Sequence, residues 1–284
     1  MKIITHIKTI QDLTQKLRRE GKQIGFVPTM GYLHDGHRSL LKVCHRQNDI
    51  SVLSIFVNPV QFGPQEDFQS YPRDKKNDVL LAKEENVDII FYPSVRTMYP
   101  RRYLTYINVE EMTGTLCGAS RPGHFRGVTT VVGKLLNIVR PHKIYFGQKD
   151  AQQCAVIRQM VKDLNIPVQL RVLPTVREKD GLALSSRNAY LTAEERREAP
   201  VLYQALKMAR TKIHRGERDS RRLIRMTEQF LTNGCHRGEI EYVMCVEAET
   251  LQPVKIIQGD VLIALAVRLG KARLIDNILL RVRN

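Results

Sequence analysis

The sequence predicts an α/β protein organised on a parallel sheet and followed by a smaller α+β domain, and three observations carry that prediction. Short apolar runs recur over residues 1–175 with helical stretches between them. Polar segments, most of them bearing glycine, follow four of those runs. From about residue 176 the alternation gives way to capped helices and three strand-like runs. In chain order, residues 23–27 read as a buried strand, and residues 39–46 have the apolar spacing of a helix. Residues 50–57, 87–92, 143–146 and 168–173 supply four further strand-like runs. Sheets of this kind bind ligands beyond the carboxyl ends of their strands, which is where the polar segments fall. Thr192 and Glu195 form a capping box that opens a helix to about His214, and Asp219 or Ser220 caps another that ends near Gly234. Residues 239–247, 261–268 and 273–280 then read as strands, the last two joined by the two-residue turn Gly270-Lys271. A cut at 175/176 therefore divides the chain into residues 1–175 and 176–284.

Composition narrows the class. A chain of 284 residues is long for one hydrophobic core, and 43% hydrophobic with 26% charged residues is ordinary for a soluble globular protein. No apolar run approaches the roughly 20 residues that cross a bilayer, and residues 1–13 lack the pattern of a signal peptide, so a cytoplasmic protein with no membrane partner is expected. Cys44, Cys117, Cys154, Cys235 and Cys245 are odd in number and widely spaced, which argues for reduced thiols over a disulfide framework. The net charge of +16 raises nucleic acid as a partner. Its distribution does not: residues 1–175 carry 25 Lys and Arg against 15 Asp and Glu, residues 176–284 carry 20 against 14, and no stretch is read as interleaving bases with aromatics. Arg221, Arg222 and Arg225 read as the solvated face of a helix, and a positive field steers anions toward a cleft.

Four segments carry chemistry. The first is Pro28-Thr29-Met30-Gly31-Tyr32-Leu33-His34-Asp35-Gly36-His37, where a strand gives way to a helix. His37 falls at or near the helix N-terminus, where unpaired N–H groups and the positive end of the dipole favour anions, and imidazoles add directional donors suited to the phosphates of ATP. Histidines three apart are also the spacing of metal ligands or of a plain polar helix start. Zinc is disfavoured, because the glutamate of a His-Glu-x-x-His helix and any Cys pair at ligand spacing are missing. The second segment, Asn58-Pro59-Val60-Gln61-Phe62-Gly63, offers two amides on a turn signal that has a structural reading as well. The third, Gly147-Gln148-Lys149-Asp150-Ala151-Gln152-Gln153, combines a glycine for backbone approach, a lysine for phosphate, an aspartate for ribose hydroxyls and amides for a neutral polar substrate; a solvated loop is its alternative. The fourth, Gly181-Leu182-Ala183-Leu184-Ser185-Ser186-Arg187-Asn188, sets two hydroxyls beside a guanidinium whose planar fork suits phosphate, or forms a polar turn before Thr192.

Together these residues resemble the pantothenate synthetase, or pantoate–β-alanine ligase, family. The matching blocks are residues 28–37, 56–63, 121–127 (Arg-Pro-Gly-His-Phe-Arg-Gly), 146–153, 174–176 and 181–188, with a weaker match at 272–277. The two-histidine motif and the Ser-Ser-Arg loop also look like the paired signatures of class I aminoacyl-tRNA synthetases, which share the Rossmann-like nucleotide-binding fold. The resemblance implies that pantoate's carboxylate attacks the α-phosphorus of Mg-ATP to give pantoyl adenylate and pyrophosphate, and that β-alanine's amine then displaces AMP. It implies catalytic roles for His34, His37, Lys149 and Arg187, with His37 the proton donor. Met30, Gly31, Tyr32, Leu33, His34, Asp35, Gly36 and His37 would contact the triphosphate, with Gln148, Lys149, Ser185, Ser186 and Arg187 completing the ATP site. Gly147 and Asp150 would hold the ribose, and Val176 with Leu184 the adenine. Gln61 would bind pantoate and border β-alanine, Gln153 would bind pantoate, and Asn58 joins the substrate site. A homodimer and a C-terminal lid that shields the adenylate are further implications.

Two departures from the family pattern stand out. Leu184 replaces a common methionine, a volume-conserving change. Asn77 precedes Asp78 where relatives carry two acids proposed for Mg²⁺, so protein ligands of the metal stay unassigned. The rival readings are a nucleotidyltransferase that leaves the nucleotide on its product, which would release no AMP, and a basic RNA-binding module, which would release no pyrophosphate.

Overall fold

The computed structural model describes residues 1–64 and 66–283. The chain runs β1 (Lys2–Ile4), α1 (Ile7–Arg19), β2 (Ile24–Thr29), α2 (Asp35–Arg46), β3 (Ile50–Ile55), α3 (Lys75–Glu84), β4 (Ile89–Phe91), α4 (Val95–Met98), α5 (Leu116–Ser120) and α6 (His124–Val139). It continues through β5 (Lys143–Gly147), α7 (Ala151–Asp163), β6 (Gln169–Leu173), α8 (Ala193–Glu198), α9 (Val201–His214), α10 (Ser220–Gly234), β7 (Gly238–Glu247), β8 (Gly259–Leu269) and β9 (Ala272–Val282). Single 3₁₀ turns cover Pro59–Gln61, Gln148–Asp150 and Ser186–Tyr190.

Two compact units emerge, and a single cut does not separate them. The first comprises Met1–Glu110, Arg121–Gly147 and Val156–Pro174; the second comprises Glu111–Ser120, Gln148–Ala155 and Thr175–Asn284. The cut at 175/176 thus misses two segments, and side-chain amides explain why. Gln152 donates to the carbonyls of Met112 (3.0 Å) and Thr115 (2.8 Å) and accepts from the Cys117 N–H (2.9 Å). Asn277, on β9, donates to the carbonyls of Gln148 (3.0 Å) and Lys149 (2.9 Å).

In the first unit six strands form an all-parallel sheet in the order β1-β4-β3-β2-β5-β6. The inner strands read as unbroken apolar runs because a parallel sheet is covered on both faces. Val27, Leu53, Ile90 and Tyr145 pack against Leu40, Leu41 and Cys44 of α2 and Ala82 of α3. The three-residue edge strand β1 has no counterpart in the sequence reading, since polar residues interrupt its apolar pattern.

The second unit pairs β7-β8-β9 antiparallel, with β8 and β9 joined through Gly270-Lys271. Val261, Ile263, Leu265, Val267 and Leu269 share one face of β8 by the two-residue period and meet Leu202, Leu206 and Ile213 of α9 and Leu223 and Leu231 of α10. The helix read from Thr192 to His214 is two helices, α8 and α9, parted at Ala199 and Pro200, where proline offers no N–H to continue the ladder. The capping box of Thr192 and Glu195 forms as read.

All five cysteines are buried and outside any disulfide. Among the described residues no helix is long and apolar enough to cross a membrane. One stretch corrects the sequence reading: Tyr99, Arg101, Arg102, Tyr103 and Tyr106 do interleave bases with aromatics. Those rings pack edge to face on each other at 5.0 and 5.5 Å, with Lys134 over Tyr103 and Arg126 over Tyr106, so the stack is partnered internally.

Candidate active site

In the first unit the loops after the adjacent strands β2 and β3 lie side by side. Helix α2 starts at Asp35 with His34 as its N-cap, so both histidines belong to the helix start. Each imidazole serves as a cap: the Gly36 N–H donates to His34 Nδ1 at 3.1 Å, and the His34 N–H donates to His37 Nδ1 at 3.3 Å. An Nδ1 that accepts carries no proton, so each neutral ring keeps its hydrogen on Nε2. The rings stand 4.2 Å apart, two N–H donors presented together at the positive end of a helix.

Before the helix, the backbone turns through left-handed conformations at Gly31 (φ 88°) and Tyr32 (φ 52°). The N–H groups of Tyr32 and Leu33 donate to Asp78 Oδ2 (3.0 Å) and Oδ1 (2.7 Å). Burial pushes the Asp78 carboxyl up, and the bonds from Leu33 and Tyr32 pull the other way without cancelling it. Among the described residues no group of three or more His, Cys, Asp or Glu side chains could hold a metal ion. Each Asp78 oxygen accepts a backbone N–H and Asn77 donates to Asp74, so among the described residues these side chains form no ready-made carboxylate cluster for Mg²⁺.

After β3, Asn58 and Gln61 end on a shared turn. Asn58 is almost wholly buried, and its amide is saturated: Nδ2 donates to Gln61 Oε1 and the Gly127 carbonyl (both 3.1 Å), while Oδ1 accepts from Tyr99 Oη (2.8 Å) and the Val60 N–H (3.4 Å). Asn58 therefore supports Gln61. Gln61 Nε2 lies 3.2 Å from Met30 Sδ, which joins the two loops.

The Arg-Pro-Gly-His-Phe-Arg-Gly block holds Gln61 from below. Arg121 binds Glu66, and its Nη1 lies 3.0 Å from His124 Nε2. Arginine only donates, so His124 accepts at Nε2 and donates through Nδ1 to the Gln61 carbonyl at 2.8 Å. Burial alone would raise the Glu66 carboxyl; the hydrogen bond and the charge of Arg121 outweigh it and hold the group below its ordinary value.

In the second unit, Asn277 holds the Gln148–Asp150 turn as above, and Gln148 Nε2 returns a bond to its Oδ1 at 3.2 Å. Lys149 Nζ lies 3.8 Å from the exposed Asp150 carboxylate, and Gln153 is half-buried on the first turn of α7. The Leu184 N–H donates to the Val176 carbonyl at 3.0 Å, placing the two expected adenine contacts side by side. Ser185 Oγ accepts from the Arg187 N–H at 3.3 Å, and Ser186 is buried. Lys149, Ala183, Ser185, Asn188, Tyr203 and Asp276 line a small recess. Its wall is stiffened by Arg177, which pairs with buried Asp276 at 2.5 and 2.8 Å and lies 3.7 Å over the ring of Tyr203.

Residues 2–279 match the family model described as pantoate-beta-alanine ligase. The chain belongs to that family. Pantothenate synthetase of Caldicellulosiruptor bescii is 53% identical over 283 residues, spanning 100% of both chains. That of Acetivibrio thermocellus is 54% identical over 280 residues, 97% of this chain and 99% of its own. Among solved structures, pantothenate synthetase from Thermus thermophilus has a TM-score of 0.93 at 44% identity over 100% of both chains. Pantoate-beta-alanine ligase from Francisella tularensis, complexed with beta-gamma ATP and beta-alanine, has a TM-score of 0.80 at 37% identity, covering 98% of this chain and 97% of its own.

Within this pantoate–β-alanine ligase framework several residues have supporting roles that the sequence reading did not assign to them. Asp78, Tyr99, His124, Gln152 and Asn277 each hold a segment that carries a candidate group. Their partners lie between 35 and 129 residues away in the chain, beyond the reach of any local spacing rule. Asp78 and Gln152 carry other roles in the sequence reading, His124 and Asn277 lie inside matching blocks, and Tyr99 has no local signal.

Proposed function

We propose that the chain performs its family's reaction, the ATP-dependent condensation of pantoate with β-alanine to pantothenate, through a pantoyl adenylate. A carboxylate oxygen of pantoate attacks the α-phosphorus of ATP, and the bond to pyrophosphate breaks. The β-alanine nitrogen then attacks the acyl carbon, the bond to AMP breaks, and the amine loses its proton. Charge builds on the departing pyrophosphate in the first step, and fixed donors aimed at it lower the barrier. His34 and His37 offer Nε2–H donors, and Lys149, Ser185, Ser186 and Arg187 supply the remaining polar and positive groups.

Gln61 and Gln153 hold pantoate as neutral amides, which orient the nucleophile without an ion pair that would blunt it; Gln61 also borders β-alanine. Gly147 and Asp150 take the ribose. Support for Gly147 comes from its surroundings: nothing lies within 4 Å of a Cβ built there, so packing within the protein does not require a glycine, whereas a ligand approaching the backbone does. Val176 and Leu184 take the adenine. Magnesium, a homodimer and a cytoplasmic location rest on the family resemblance, with the ion carried by ATP's phosphates and no step routed through it.

The observation that carries the adenylate step is the reciprocal imidazole cap, which fixes both rings with their donors on Nε2. Pyrophosphate release from Mg-ATP tests it. Pantoate alone is expected to release one pyrophosphate per active site, with AMP appearing only when β-alanine is added. No pyrophosphate before β-alanine, or a product that keeps its nucleotide, would overturn it.

A further inference from the structure

We infer that Asp78 is a positioning residue: its carboxylate is a built-in anion that sets the Met30–His34 loop, and so the aim of the two imidazoles, and it is not a metal ligand. The inference rests on the roles just proposed for His34 and His37. Successive backbone N–H groups that converge on one point make a concavity that binds anions. Here the converging groups are those of Tyr32 and Leu33, and Asp78, 46 and 45 residues away in sequence, fills the place with one oxygen on each.

The fit is close on all sides. Asp78 is 3% exposed, a burial that an ionised carboxylate tolerates only with such partners. A Cβ on Gly31 would meet Asp78 Oδ2 at 2.8 Å and Ile55 Cγ2 at 3.0 Å, and the φ of 88° there disfavours any side chain. Tyr32 holds a left-handed conformation that a non-glycine residue adopts at some cost, and the paired bonds over-determine it. The loop ends at His34, whose own N–H caps His37. Displacing Asp78 therefore moves the donors without touching them. The Tyr32 and Leu33 N–H groups are occupied by Asp78, so they are not the part of the loop offered to a triphosphate.

The test is Asp78→Asn, which keeps shape and one acceptor oxygen but replaces the other with an amide NH2 that donates and cannot accept. Backbone amide exchange by NMR on the ligand-free chain should show protection at Tyr32 and Leu33 falling about tenfold or more, with protection in β2 and β3 unchanged. The kcat for pantoate-dependent pyrophosphate release should fall by about tenfold or more, with the KM for ATP and the Mg²⁺ concentration at half-maximal rate within about twofold of wild type. Should Asp78→Asn fail to fold, Gly31→Ala crowds the same seat from the opposite side and should likewise lower protection at Tyr32 and Leu33 by about tenfold or more. Unchanged protection at Tyr32 and Leu33, or a Mg²⁺ requirement raised about tenfold or more, would overturn the inference. Lost protection with undiminished kcat would leave the backbone arrangement standing and remove the imidazoles from catalysis, which separates this failure from that of the proposed function.

Discussion

Each imidazole at the start of α2 accepts a backbone N–H through Nδ1, so its chemistry is confined to Nε2. Truncating one ring removes a preorganised donor to developing charge, which is worth roughly 10²- to 10³-fold in rate. His37→Ala should therefore slow pantoate-dependent pyrophosphate release by about that factor, and near-wild-type release by a folded variant would remove His37 from the step. The spacing of these histidines, and the helix start beneath them, were legible because a strand, a glycine and an apolar helical period lie within one short segment. Glu66 was not legible, since its partner Arg121 is 55 residues away. Its folded pKa is lowered, so the pair stabilises the protein above the unfolded value of about 4.3 and loses that contribution as pH falls through the lower folded value. The urea midpoints of wild type and Glu66→Gln should accordingly differ near pH 7 and converge as pH falls below the lowered folded value. A gap independent of pH would show that the ion pair contributes nothing there.

Helix α6 meets the Pro59–Gln61 turn through Gly127, and the meeting is backbone to backbone. A Cβ at that position would collide with the Val60 carbonyl oxygen and lie 2.6 Å from Gln61 N and Cα. None of those atoms can swing away as a side chain could. Gly127→Ala should force helix and turn apart, at about 1–3 kcal/mol of stability, and carry Gln61 with it. A lower melting temperature with a raised KM for pantoate and an unchanged KM for ATP is the expected signature; equal losses for both substrates would place Gln61 outside a pantoate site.

The five strands β2 to β6 were readable because buried parallel strands are continuous apolar runs, and α10 because Asp219 and Gly234 mark its ends. Strand β1 was too short to leave a period. The break between α8 and α9 turns on Pro200, whose effect a long apolar pattern obscured. The assignment of residues 111–120 and 148–155 to the second unit depends on Gln152 and Asn277, and no window of local sequence contains both partners of those bonds.

Charge belongs to the chain as a whole. The 45 lysines and arginines outnumber the 29 aspartates and glutamates, and no arrangement of ion pairs can neutralise the remainder. Pairs are shared in both directions, Arg196 taking Glu178 and Asp180 while Glu241 takes Arg268 and Arg273, so sharing does not remove the surplus. A surplus spread over both halves of the sequence produces a long-range field more than a defined patch, and such a field acts on approach more than on the bound state. ATP and pantoate are both anions, so the field accelerates their encounter. A stopped-flow measurement of ATP association should show the rate constant falling by about tenfold between low salt and roughly 0.15 M KCl, with the dissociation rate nearly constant. An RNA-binding module of the same charge behaves differently: its equilibrium affinity falls as a power of salt set by the number of phosphates contacted. Titrating tRNA over the same KCl series separates the two. Salt-sensitive ATP association with no tRNA retained at about 0.15 M KCl assigns the charge to steering small anions, whereas salt-insensitive ATP association beside a steep tRNA slope assigns it to a polymer.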